Sequence, residues 1–260
     1  MALTKTTKEI DSMRHGGALL SRALKAAVDA VAPGVTLREI DQIGERVIIE
    51  GGGTPSFKGY QSSPGDTPFP STICLSVNEE VVHGLGNRDL KLKEGDIIGL
   101  DIGCWLEGLC TDMAVTVPVG KVSPEARKLM DVTKASLLAG VAAAKVGGQI
   151  KDISQAVEEY VKPHGYGIVR ALVGHGVGHQ VHEAPHVPNY VSDRYPKVVI
   201  EDGMCLALEP MLGLGGDYHV DTAADGWSIV MSDGTLGSHF EVTIAVTKEG
   251  GAEILTPIPV

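Results

Sequence analysis

Aromatic side chains are scarce in this sequence, with three Phe, two Trp and six Tyr among 260 residues, so any place where several of them gather is worth locating. Cysteine is scarce as well. The four thiols, Cys74, Cys104, Cys110 and Cys205, form no C-x-x-C pair and no dense spacing, which excludes a disulfide-rich scaffold and fits a reducing, cytoplasmic setting. Basic charge is in deficit: 22 Lys and Arg against 33 Asp and Glu leave a formal net charge of −11. That balance argues against nucleic-acid or anionic-membrane partners, since both need a basic face. Long apolar runs are missing too, so no membrane span is expected. The lysines of MALTKTTKEIDSMRHGG have no apolar stretch behind them, and neither a signal peptide nor an anchor is expected. What the chain does hold is 43% hydrophobic residues, enough for a large core.

The chain also repeats its own order. Leu19 to Ala32 has helical spacing and stops at Pro33-Gly34; Thr36-Leu-Arg-Glu39 has the capping-box form and opens an amphipathic run to Glu50, ended by Gly51-Gly-Gly53. Glu125 to Lys145 then predicts a helix broken at Gly147-Gly148, and Ile150 to Val161 another, stopped at Pro163-His-Gly165. Laid over each other, the two stretches place Leu37 on Ile150, Ile40 on Ile153, Gln42 on Gln155 and Glu45 on Glu158. β-rich segments follow each helix pair, and Lys93 to Asp101 aligns with Glu201 to Glu209, so each half runs a charged glycine turn into an apolar strand ending in one carboxylate. No linker separates the halves, about 15–120 and 123–250. The expectation is a single domain over 1–260, an α+β fold with a curved, mainly antiparallel sheet, helices outside and a site inside. A lone carboxylate at a strand end is ordinarily a cap. Two facing each other across a pseudo-twofold axis, Asp101 and Glu209, would be costly to bury unless cations lay between them.

The stretch LVGHGVGHQVHEAPH holds four of the nine histidines. Its HEAPH fits the letters H-E-x-x-H, but that zinc chemistry needs both imidazoles on one helical face. Pro185 and the alternating Gly174, Gly176 and Gly178 predict extended chain instead. Further candidate ligands lie near the strands. Glu107-Gly108 predicts a hairpin bringing Asp101 and Asp112 to one level, and Glu241 shares the polar face of SHFEVTIAV with Thr243. Asp101, Asp112, His175, Glu209 and Glu241 are four carboxylates and one imidazole, a set suited to two divalent ions of Mn, Fe or Co type, with Zn admissible, and to hydrolysis.

With these residues in place, the chain resembles type I methionine aminopeptidase, whose pita-bread fold is shared by creatinase and prolidase. The resemblance rests on FKGY (57–60), NEEVVHG (78–84), the Asp101 and Asp112 pair, GHGVGHQVHEAP (174–185), LALEP (206–210), DGW (225–227) and HFEVT (239–243), which follow the family's order over nearly the whole chain. It implies that Asp101, Asp112 and Glu241 hold one ion and that Asp112, His175, Glu209 and Glu241 hold the other. It implies that His83 and His182 contact the scissile peptide and steady its oxyanion, while Glu209 shuttles the proton as water held between the ions attacks the first carbonyl. Phe57, Tyr60, Phe69, Cys74 and Trp227 would line the methionine pocket, with a shallow second subsite for a small residue. His179 and His186 match no catalytic position and are expected to be structural. The implied partner is the N-terminal methionine of peptides and nascent chains, compatible with transient proximity to the ribosome; a monomer is expected, and a chain that begins Met-Ala would itself be a substrate.

Three departures stand out. The insert QSSPGDTP (61–68) lengthens the link between Tyr60 and Phe69 and predicts a surface loop at the rim. Val181 replaces a common aromatic, and Val242 a common histidine. Three rival readings share the ligand set or the fold. A prolidase-like X-Pro peptidase usually carries an extra N-terminal domain, whereas only 82 residues precede His83. A catalytically silent binding module typically has substituted ligands, and here all five are present. Type II methionine aminopeptidases carry a helical insertion between the last two glutamates, which here are 32 apart.

Overall fold

The computed structural model describes residues 3–61 and 65–259; Ser62, Ser63 and Pro64 of the expected rim loop lie outside them. Helix α1 (Thr7–Asp29) begins well before Leu19 because Thr6 and Glu9 form a reciprocal capping box, the Thr6 amide donating to Glu9 at 2.7 Å and the Glu9 amide to Thr6 Oγ1 at 3.3 Å. Its polar first turns masked a buried stripe of Ile10, Met13 and Leu20. Helix α2 (Leu37–Glu50) starts at the predicted capping box of Thr36 and Glu39. Helix α3 (Pro124–Ala143) follows Ser123, whose hydroxyl accepts from the Ala126 amide, with proline at the first helical position, where no N–H is missed. Helix α4 (Ile150–Val161) keeps its predicted bounds and runs into a short 3-10 turn that Gly165 closes at φ 75°.

One antiparallel sheet of nine strands carries the site: β1 (Thr54–Pro55), β2 (Ile73–Val77), β3 (Ile97–Leu106), β4 (Leu109–Pro118), β5 (Gly174–Gly176), β6 (Glu183–Val187), β7 (Met204–Leu208), β8 (Glu241–Thr247) and β9 (Gly251–Ile254). Its spatial order is β1-β3-β4-β8-β7-β5-β6, with β2 on β3 and β9 on β8. HEAPH therefore runs from a bend at His182 into a strand, not along a helix. The strands aligned by the internal repeat, β3 and β7, flank the central pair β4 and β8, so the halves meet along the β4/β8 seam.

Strand alternation sorts the sheet into two faces. Ile98, Leu100 and Ile102 of β3, Leu206 and Leu208 of β7, and Val242 and Ile244 of β8 join Leu24, Ile40, Leu137 and Ile153 of the four helices in one buried cluster. The residues between them, among them Asp101, Gly103, Ala207, Glu241 and Thr243, take the opposite face. The β3/β4 hairpin turns on Glu107 and Gly108, both at positive φ (52° and 81°), the pattern of a two-residue type I′ turn. This turn pairs Asp101 with Ala114 and Gly103 with Asp112. The two aspartates are thus not at one level, as expected, but diagonal neighbours on one face, because the turn centre sets a register two residues away from direct opposition.

Candidate metal centre

Register alone gathers the acidic residues. Ala114 of β4 pairs with Asp101 on one side and Glu241 on the other, which places those carboxylates in one row across three strands, with Asp112 two residues along the same face. Leu208 pairs with Val242, so Glu209 leaves the end of β7 beside Glu241, and His175 pairs with Ala207 on the face that Glu209 shares. Gly103 belongs to that face as well, where a Cβ would fall 2.3 Å from Ser56 Oγ and 3.1 Å from the Phe57 ring. Glycine there lets the aromatic wall close against the sheet.

The row forms the floor of a cavity of about 280 Å³. All twelve residues expected at the site line it: Asp101, Asp112, His175, Glu209 and Glu241 on the floor, His83 over them, exposed His182 at the rim, and Phe57, Tyr60, Phe69, Cys74 and Trp227 around the wall. Val82, Leu172 and Val173 complete the lining. The aromatics are mutually seated, Phe69 edge-on to Trp227 at 5.2 Å and Tyr60 edge-on to His182 at 5.3 Å. Phe69 reaches the wall despite the preceding insert because its amide donates to the Tyr60 carbonyl at 2.8 Å, closing the loop at its base. His179 contacts Glu9 Oε1 at 2.8 Å, and exposed His186 packs against Tyr195.

The floor is electrostatically incomplete without a cation. Asp101 Oδ1, Asp112 Oδ1 and Glu241 Oε1 are buried without a hydrogen-bond partner among the described residues. Burial pushes the Asp101 carboxyl up to about 7, and burial together with the neighbouring carboxylates pushes Asp112, Glu209 and Glu241 well above the usual range. Burial also lowers His175 to about 3 and His83 to about 4, each helped by the nearby His182. His182 itself is exposed at the cavity mouth and is still lowered by desolvation. His175 Nδ1 lies 2.9 Å from the Gly176 carbonyl, which can only accept, so Nδ1 carries the proton and the Nε2 lone pair faces Glu209 Oε1 at 3.5 Å. Donor atoms of Asp112, His175 and Glu241 lie within 4.8 Å of one another, as do those of Glu209, His239 and Glu241. Oxygen-rich donors, orphaned lone pairs and a neutral imidazole fit divalent ions.

His239 is the one member of these groups that the sequence reading did not single out. It was legible only as part of HFEVT; the signal was its spacing of two from Glu241. The short strand Gly237–His239 pairs with Met211–Gly213 and delivers it to the edge of the floor.

The comparisons with known proteins bear on the family and the fold. The profile of metallopeptidase family M24 matches residues 11–248. A methionine aminopeptidase of Clostridium acetobutylicum is 44% identical over 257 residues, covering 98% of this chain and 99% of that one. The crystal structure of a methionine aminopeptidase from Thermotoga maritima superposes with a TM-score of 0.91 at 38% identity, over 97% of this chain and 98% of that chain. A prolidase from Pyrococcus furiosus, at 22% identity, shares the fold with a TM-score of 0.76, and 98% of this chain covers only 65% of that one. The curved sheet with outer helices is the pita-bread fold, and the chain belongs to metallopeptidase family M24, within its methionine aminopeptidases.

Proposed function

We propose that this chain removes the N-terminal methionine from peptides and nascent proteins with the aid of two divalent ions, as one catalytic domain. The observation that carries the reading is the group of four carboxylates at the floor of an aromatic-lined cavity, three of which, Asp101, Asp112 and Glu241, hold a buried oxygen with no hydrogen-bond partner among the described residues. Asp101, Asp112 and Glu241 would hold one ion, and Asp112, His175, Glu209 and Glu241 the other. Bound there, the ions would supply Lewis-acid polarisation of the scissile carbonyl and a water of lowered pKa.

The chain's own residues do the rest. Phe57, Tyr60, Phe69, Cys74 and Trp227 offer aromatic faces and a thiol, which suit a flexible, polarisable thioether. The methionine side chain seated among them places the first peptide carbonyl over the acidic floor. His83 and His182 are held neutral at physiological pH by their lowered pKa values, so each offers an N–H to the developing oxyanion without a charge to desolvate. Tyr60 OH lies 3.0 Å from His182 Nδ1; when the hydroxyl donates, Nε2 keeps its proton and faces the cavity. Glu209 is the most exposed floor carboxylate, with 13% of its side chain accessible, which suits it to take a proton on a carboxylate oxygen and hand it to the leaving amine.

Among the described residues no helix is long and apolar enough to cross a membrane, and all four cysteines are free and buried. We read a cytoplasmic monomer that meets nascent chains near the ribosome. The test is release of methionine from Met-Ala-Ser by protein loaded in turn with Mn, Co, Fe and Zn. Turnover of X-Pro peptides alone would move the chain to the prolidases; bound metal with no turnover would make it a binding module.

A further inference from the structure

Behind the cavity lining, beside the expected ligands Glu209 and Glu241, lies one more buried imidazole. His239 is 3% exposed, and its Nε2 is buried with no hydrogen-bond partner among the described residues. That atom lies 3.8 Å from Glu209 Oε2 and 3.8 Å from Glu241 Oε2. The spacing is too long for a hydrogen bond. It is the spacing of donors around a shared ion, since three donors each about 2.0–2.2 Å from one cation stand about 3.3–3.8 Å apart. Glu209 turns its other oxygen, Oε1, to His175 Nε2 at 3.5 Å, so this carboxylate stands between two imidazoles on opposite sides.

A merely structural histidine in this setting would be expected to hold a partner at Nε2, because an unpaired buried polar atom is costly. We propose that His239 is a metal-side donor: with Glu209 and Glu241, its Nε2 forms a second trio that binds a divalent transition ion. The assignment rests on the dication reading of the acidic floor. It gives the centre two imidazoles rather than one, and so biases it towards ions that favour nitrogen donors, such as Co, Zn and Fe, over those that favour oxygen alone.

The experiment titrates metal-free protein with Co(II), by calorimetry and by the visible spectrum of the bound ion, for the natural chain and for His239→Gln, which keeps volume and polarity but removes the imidazole. His239→Gln should weaken one binding step by about tenfold or more, since losing even a hydrogen-bond partner of a ligand costs about that much, and change the Co(II) absorption band. X-ray absorption of the Co-loaded natural chain should count two imidazoles, a readout independent of any variant's folding. One imidazole, with His239→Gln binding as the natural chain does, overturns the assignment alone. A natural chain that binds no Co(II), Zn(II), Mn(II) or Fe(II) overturns the dication reading and this assignment with it.

Discussion

At the scale of single residues, two side chains separate binding the ions from using them. His83 sits at φ 58°, an uncommon conformation for a residue with a Cβ, directly after the short strand Glu80–Val82 and over the acidic floor; such strain is found where a group must be aimed. His83→Ala should lower turnover by about a hundredfold or more, the scale of losing one oxyanion donor, while metal analysis finds the same ion content. A variant that loses metal instead would put His83 among the ligands. Asp101→Asn keeps shape and volume but removes one charge from the floor, and it should abolish cleavage with the far-UV circular dichroism unchanged; full activity would show the ligand assignment to be wrong. Asp41 is a carboxylate of another kind. It is buried away from the site, and its Oδ1 accepts from the Thr72 and Ile73 amides at 2.9 and 2.8 Å. Burial raises its pKa above 3.8, the two amide bonds only partly offsetting this. The folded chain therefore binds that proton more tightly than the unfolded chain, and the contribution of Asp41 to stability falls as pH rises above 3.8. An amide oxygen can accept both bonds uncharged, so Asp41→Asn should be neutral or stabilising at pH 7 and lose that advantage towards pH 4. Urea denaturation at both pH values checks this; equal destabilisation at each would mean that the charge itself is needed.

At the scale of elements, the sequence displayed what is local and hid what is set by register or by distant partners. The bounds of α4 and the start of α2 were legible because capping and amphipathic spacing are short-range signals. The start of α1 was not, since Thr6 and Glu9 cap a turn whose buried residues are spaced among charges. The five expected ligands could be picked from residue type and position, but their convergence depends on Ala114 pairing with both Asp101 and Glu241, which no local pattern specifies. His239 stayed hidden for the same reason. The segment before α1 holds another hidden contact. Lys5 Nζ meets Glu183 Oε1 at 2.7 Å with side chains 1% and 7% exposed, and Glu183 also accepts from the His179 amide at 3.0 Å. This pair ties the chain's N-terminal segment to the start of β6, next to His182. Removing one partner of a buried pair strands the other charge, so Lys5→Met should lower unfolding free energy by about 3–5 kcal/mol. Adding Glu183→Leu should restore part of the loss in a double-mutant cycle. Additive losses would mean that the two side chains do not interact energetically.

At the scale of the whole molecule, the pseudo-symmetric halves share one seam, β4 against β8, and the carboxylates on either side of it repel. Asp101 and Asp112 come from the first half, Glu209 and Glu241 from the second, and each of the last two is pushed upward in pKa by the first-half aspartates. Ions that neutralise this row bind the folded chain only, because the unfolded chain does not hold the four groups together. Their binding is then folding free energy: at a hundredfold excess over the dissociation constant, one such site contributes about 2.7 kcal/mol. For a domain near this size that corresponds to about 5–10 °C in thermal midpoint. Chelation followed by dialysis should lower the midpoint by this amount, and Mn, Co, Fe or Zn should restore it in a concentration-dependent way. Asp101→Asn and Glu241→Gln, taken from opposite sides of the seam, should each shrink the ion-induced shift without lowering the metal-free midpoint, because in each the like-charge repulsion falls as the acidic group is lost. An ion-induced shift that survives both substitutions would place the stabilising ion elsewhere in the molecule, and the seam would then need another explanation for its stacked acids.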